Sequence, residues 1–187
     1  MPYRINHRLP AALLGLLLAV TTSSADEKPP AVKTAKHQVT GLFMKEREQD
    51  LREIIEQLPQ IKLGSIDYAH AEAVFEYEPA KAFPGAKPEQ IVERFDNLLR
   101  GASKSTFGIK PLRTMPLDKL QRVEIPIAGL DCKACCLAAY ESVYKLPGVE
   151  SATASFRDGL LTALIDPEKT DRAKLEEALK KRGISLK

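Results

Sequence analysis

The sequence predicts an α+β protein made of two βαββαβ units in tandem, each an antiparallel four-stranded sheet with two helices on one face. Three observations carry this. Shifting the first half by 88 residues lays Gly41-Leu42 on Gly129-Leu130, Lys45 on Lys133, Leu58-Pro59 on Leu146-Pro147, Ile61 on Val149 and Glu78-Pro79 on Asp166-Pro167 without a gap, which is the mark of an internal repeat. In each copy the apolar period passes from two to 3.6 and back in the same order. Turn and stop residues also fall where that order needs them, most clearly the Asp158-Gly159 hairpin signal and the Leu146-Pro147-Gly148 helix stop.

In the first copy a strand is expected near His37 to Thr40, a helix from about Glu46 to Gln57, and strands at Ile61 to Tyr68 and Glu72 to Tyr77. A longer loop, Ala80 to Lys87, leads to a helix from Pro88 to Leu99 and a last strand near Phe107 to Lys110. In the second copy Val123, Ile125 and Ile127 alternate as a strand, and Cys136, Ala139, Tyr140 and Val143 then share one helical face. Val149 to Phe156 and Leu160 to Ile165 form a hairpin, and Ala173, Leu175, Ala178 and Leu179 mark a second helix ended by Gly183. A short strand at Ile184 to Leu186 closes the copy. Split βαβ units of this order give the ferredoxin-like sheet with both helices on one side. The expected boundaries are residues 37–111 for the first domain, 112–120 for a linker and 121–187 for the second domain.

The first 25 residues read as a secretory signal peptide. Arg4 and Arg8 precede the apolar stretch from Ala11 to Val20, and small residues at Ser23 and Ala25 suit cleavage after Ala25. That stretch is too short to span a bilayer, which takes about 20 apolar residues. An exported chain follows, periplasmic in a bacterium and secreted otherwise, with no membrane span after cleavage. Residues 26–36 read as a flexible leader. Cleavage removes two of the 28 basic side chains and none of the 25 acidic ones, so the mature balance is +1; that gives no electrostatic reason to bind nucleic acid.

All three cysteines lie in the octapeptide Gly129-Leu-Asp-Cys-Lys-Ala-Cys-Cys136, where a strand pattern gives way to a helical one. Thiolates are the soft ligands of proteins, and two of them three residues apart at a helix start can grip one thiophilic ion. Unpaired N–H groups and the helix dipole there favour the thiolate form. The competing reading of Cys132 and Cys135 is an ordinary disulfide or inert thiols. Cys136 is a candidate third ligand, but it also belongs to the apolar stripe of Ala139, Tyr140 and Val143 and fits a core position better.

The spacing Val123-x-Ile-x-Ile-x-Gly-Leu-x-Cys-x-x-Cys, then Leu146-Pro-Gly-Val149, Asp166-Pro167 and Gly183-Ile184, resembles the heavy-metal-associated domain family over residues 121–187. That family includes copper metallochaperones, domains of copper-exporting ATPases and a periplasmic mercury-binding protein. The resemblance implies that Cys132 and Cys135 bind Cu(I) first of all, or Hg(II) or another thiophilic ion. It further implies hand-over by thiolate exchange to a metal-transporting membrane ATPase or a cuproprotein. The chain departs from the pattern in having Leu130 in place of the usual methionine, Ile184 where Tyr, Phe or Lys is common, and Cys136 after the motif. Lys133 could offset the charge of a bis-thiolate complex, although a solvated role suits it better.

The first copy is similar in pattern but carries no cysteine. The offset puts Met44 where Cys132 stands and Arg47 where Cys135 stands, and a guanidinium has no lone pair to give a metal. Met44 and His70 are read as a surface-loop pair without a ligand role, His37 as a leader or strand residue, and Lys45 to Glu53 as a wet helix face. Two alternatives stand beside metal binding. One is a thiol–disulfide oxidoreductase with Cys132 as nucleophile and Cys135 as resolving thiol, disfavoured because no Trp flanks the motif and no parallel-sheet pattern is present. The other is an interaction module that uses the cysteine-free first domain. The protein is read as a non-enzyme.

Overall fold

A computed structural model describes residues 31–187, so the signal-peptide reading and the first residues of the leader lie outside it. The first unit runs β1 (Lys33–Thr40), α1 (Arg47–Glu56), β2 (Ile61–Asp67), β3 (Glu72–Tyr77), α2 (Pro79–Ala82), α3 (Ile91–Ala102) and β4 (Gly108–Lys110). The second runs β5 (Gln121–Pro126), α4 (Lys133–Val143), β6 (Val149–Ser155), β7 (Leu160–Ile165) and α5 (Arg172–Lys181). The protein is thus two ferredoxin-like βαββαβ domains in tandem. Strands β6 and β7 have the residue numbers of β2 and β3 with 88 added.

The first sheet has four strands in the order β2-β3-β1-β4, and the second has three in the order β5-β7-β6. A fourth strand was expected in the second as well; there it is reduced to the bridge between Ile127 and Leu186. The pairing is local in kind, with Ala128 N–H donating to Ser185 O at 2.8 Å and Lys187 N–H to Pro126 O at 3.1 Å.

Two other expectations shift. β1 starts at Lys33, inside the span read as leader, because residues 33–38 pair with β3 along its whole length. The insertion after Pro79 is no open loop: Pro79 sits in the first turn of α2, where its fixed φ suits a helix start. Phe83 then packs edge-on against Tyr77 at 5.3 Å and tilted against Phe95 at 5.6 Å, so the insertion enlarges the first core.

A titratable imidazole lies against that core. His37 on β1 is 6% exposed, lies 5.7 Å from the Phe95 ring in an edge-on contact, and its Nε2 has no hydrogen-bond partner among the described residues. Burial, helped by nearby Lys33, holds its pKa below the ordinary 6.5. The unfolded chain therefore takes up the proton first as pH falls, so this histidine's contribution is intact above about pH 6.5 and is lost progressively below it. The unfolding free energy from urea titrations should fall, as pH drops from 7.5 to 5, by up to about 1.4 kcal/mol per pH unit, and a His37→Leu chain should lose that slope.

The two cores are not separate compartments. Phe43 and Met44, from the loop after β1, are buried in the core of the second unit together with Val123, Cys136, Tyr140 and Ala154. Around them Gly41 N–H donates to the Tyr140 hydroxyl at 3.0 Å, Ala154 N–H donates to Phe43 O at 2.7 Å, and the Gln38 amide donates to Glu150 O at 3.2 Å. The connection between the units is fastened too. Arg113 is buried against Glu72, which also pairs with Lys36 at 3.0 Å, and its guanidinium donates to His70 O at 2.7 Å.

Candidate metal centre

The cysteine loop is shaped by two neighbours of the cysteines. Gly129 takes φ +69°, a left-handed turn that glycine makes without strain, and Leu130 behind it is buried as an apolar plug. The chain then emerges at Asp131 and Cys132, which are exposed, and enters α4 at Lys133. Cys132 is the helix N-cap: its Sγ accepts from Cys135 N–H at 3.0 Å, and its backbone O accepts from Cys136 N–H at 3.0 Å. The cysteine thus does what Ser or Asp does at other helix starts, holding a sulfur over the unpaired N–H groups of the first turn.

Cys132 and Cys135 are joined by a disulfide across a Cα separation of 5.1 Å. Donor atoms of Asp131, Cys132 and Cys135 all lie within 4.8 Å of one another, and Asp131 Oδ1 is 3.5 Å from Cys135 Sγ. Asp131 went unnoticed in the sequence because an acid in a loop is ordinary; its position two residues after Gly129 and one before the N-cap was the available signal.

Cys136 points the other way. It is fully buried and free, and burial pushes its thiol pKa up, with Glu46 adding to the effect. The structure therefore places it in the core, as the helical stripe indicates, and leaves it out of the exposed donor cluster. Lys133 reaches across the joint, its Nζ 3.6 Å from the Asp50 carboxylate of α1.

The corresponding loop of the first unit has a different occupation. Met44 was read as a surface residue beside His70; instead it is buried in the second unit's core, because an apolar thioether gains more there than in water. His70 stays on the exposed β2–β3 turn, paired with Asp67 at 2.7 Å. Arg47 folds back into its own loop. Its guanidinium lies 4.3 Å from the centroid of Phe107 and 5.3 Å from that of Phe43, pairs with Asp50 at 2.9 Å, and donates from Nε to Gly41 O at 3.3 Å. Burial pulls its pKa down from the usual arginine range. A cation and a buried methionine stand at the positions of the two cysteines.

No family model and no curated protein matches the chain. Among solved structures it is similar to oxidized MerP from Ralstonia metallidurans CH34, at 25% identity over 36% of this chain and 94% of that one, with a TM-score of 0.35. It is similar also to a CopZ metallochaperone, at 19% identity over 36% of this chain and all of that one, with a TM-score of 0.35. The N-terminal soluble domains of Bacillus subtilis CopA align over 84% of this chain and 94% of theirs, at 20% identity and a TM-score of 0.34.

Proposed function

We propose that this chain is exported and that its second unit holds one thiophilic ion, of the Cu(I) or Hg(II) type, between Cys132 and Cys135. The observation that supports this most is the exposed donor cluster on the N-terminus of α4. Two sulfurs there suit the low coordination of such ions. In the disulfide form the sulfurs bind nothing; two electrons and two protons convert it to the dithiol, whose thiolates the helix end favours. The exposure of Cys132 leaves room for a partner's thiolate to join the ion before one of this chain's thiolates leaves. A metal-transporting membrane ATPase or a cuproprotein is the kind of partner that could receive or supply it.

Asp131 favours a second reading. A carboxylate beside two thiolates adds a harder donor, and a mixed site of this kind takes divalent Zn(II)-like ions as well. Replacing Asp131 by Asn should then leave Cu(I) binding in place and weaken Zn(II) binding.

Mass spectrometry of protein from the exported fraction tests the main reading. Without reductant the mass should be that of a chain starting at Asp26 less two hydrogens. After anaerobic reduction and titration it should gain one Cu(I) ion. A reduced chain that takes up no ion, or two or more with similar affinity, would sink the proposal.

A further inference from the structure

The groove through which the second unit receives the first exists a second time, open, on the first unit. In the second unit Tyr140 and Tyr144 of α4 and Glu150 and Ser151 of β6 pack against Gln38 to Leu42, leaving only about 20 Å³ unfilled. The offset of 88 carries those four positions back onto Arg52, Glu56, Lys62 and Leu63. There α1 and β2 line an open groove of about 440 Å³ over the buried Ile55, Leu58 and Ile61. The segment that fills the closed groove is Gln38 to Leu42, with Phe43 at its edge against Tyr140, and its counterpart at the same offset is Pro126 to Leu130, with Asp131 at the edge. We propose that the open groove docks the Pro126–Asp131 segment of a second copy of this chain, head to tail, in the geometry that Gln38 to Phe43 of the first unit already use on the second.

One residue pair argues for this occupant. In the closed joint the rings of Phe43 and Tyr140 lie 5.6 Å apart. The offset turns Phe43 into Asp131 on the incoming loop and Tyr140 into Arg52 in the groove. Both sides have changed, and they have changed to an acid and a base. Asp131, Arg52 and Lys62 are all exposed, so an acidic loop tip meets a groove in which Arg52 on α1 and Lys62 on β2 outnumber the one acid, Glu56. β2 is moreover an edge strand, the kind of backbone that accepts a neighbouring loop, as edge strand β6 accepts Phe43 at Ala154. The contact between copies is weaker than the joint within one, because Pro126 stands at the position of Gln38 and has no N–H or amide to donate. A head-to-tail contact of this kind is heterologous and leaves each copy with a free loop or groove unless two copies close on each other.

Sedimentation velocity on the exported chain, oxidised and metal-free, tests the docking without involving the metal reading. The chain should self-associate with rising concentration, less so at high salt. Arg52→Glu and Asp131→Arg should each weaken association roughly tenfold, since each sets like charges against one another. The double variant, which restores opposite charges in reversed order, should recover it. Both residues are exposed, and circular dichroism of each variant checks that the fold is kept. A chain that stays monomeric up to about 1 mM, the weak end of specific association, would overturn the proposal. So would association that ignores the single variants, or a double variant no better than they are.

Discussion

A chain carrying Cys132→Ser and Cys135→Ser together is expected to bind no Cu(I), the stoichiometry falling from one ion to none in competition with a chromogenic Cu(I) chelator. The effect should be complete because nothing nearby replaces the lost sulfurs. Asp131 contributes hard oxygen atoms, which Cu(I) binds poorly. Cys136 is buried and free in the core, with its thiol pKa raised, so reaching an ion at the surface would require α4 to unwind. Cys136→Ala therefore supplies the control: it should keep the ion while losing some stability from the core, about 1 kcal/mol for a small buried side chain. Retained binding by the double serine variant would place the site elsewhere.

Gly41→Ala should be the most damaging single substitution in either loop. Gly41 has φ +91°, and a Cβ there would stand 2.1 Å from Thr106 O, a backbone atom that cannot swing aside. Left-handed strain alone costs about 1–2 kcal/mol. Relieving the overlap must also move the loop that donates to Tyr140 and carries Phe43 into the other core. The total should exceed about 3 kcal/mol, measured by urea unfolding. Gly129, its counterpart in the cysteine loop, has φ +69° with nothing within 4 Å of a built Cβ, so Gly129→Ala should cost only the strain. Equal losses at the two glycines would show that the Thr106 contact does not matter.

Much of this molecule is legible in its sequence, for identifiable reasons. Alternation at Val123, Ile125 and Ile127 and the stripe from Cys136 to Val143 each bury one face of one element, so period alone assigns them. The same stripe turns Cys136 inward and leaves Cys132 and Cys135 at the helix start. What escapes is anything decided between elements. Met44 reads as a surface-loop residue because hydropathy says that a side chain is apolar without saying which core receives it. Arg47 reads as part of a wet helix face, whereas its guanidinium finds two aromatic rings and a backbone carbonyl that are distant in sequence or hidden by the turn. Asp131 escapes because its significance depends on a distance to Cys135, and spacing along the chain does not contain that distance. The short pairing at Leu186 escapes since an apolar terminal stretch looks alike whether it forms a ladder or a single bridge.

The Arg113–Glu72 pair gives the connection between the units a mechanical role. A loose tether would let the second unit swing, and a partner would meet the cysteine loop at any angle. With Arg113 buried against the first sheet, and Phe43 and Met44 lodged in the second core, the first unit becomes a handle. Whatever grips it also aims Cys132, so under the proposed function the first domain sets the direction from which an ion is delivered.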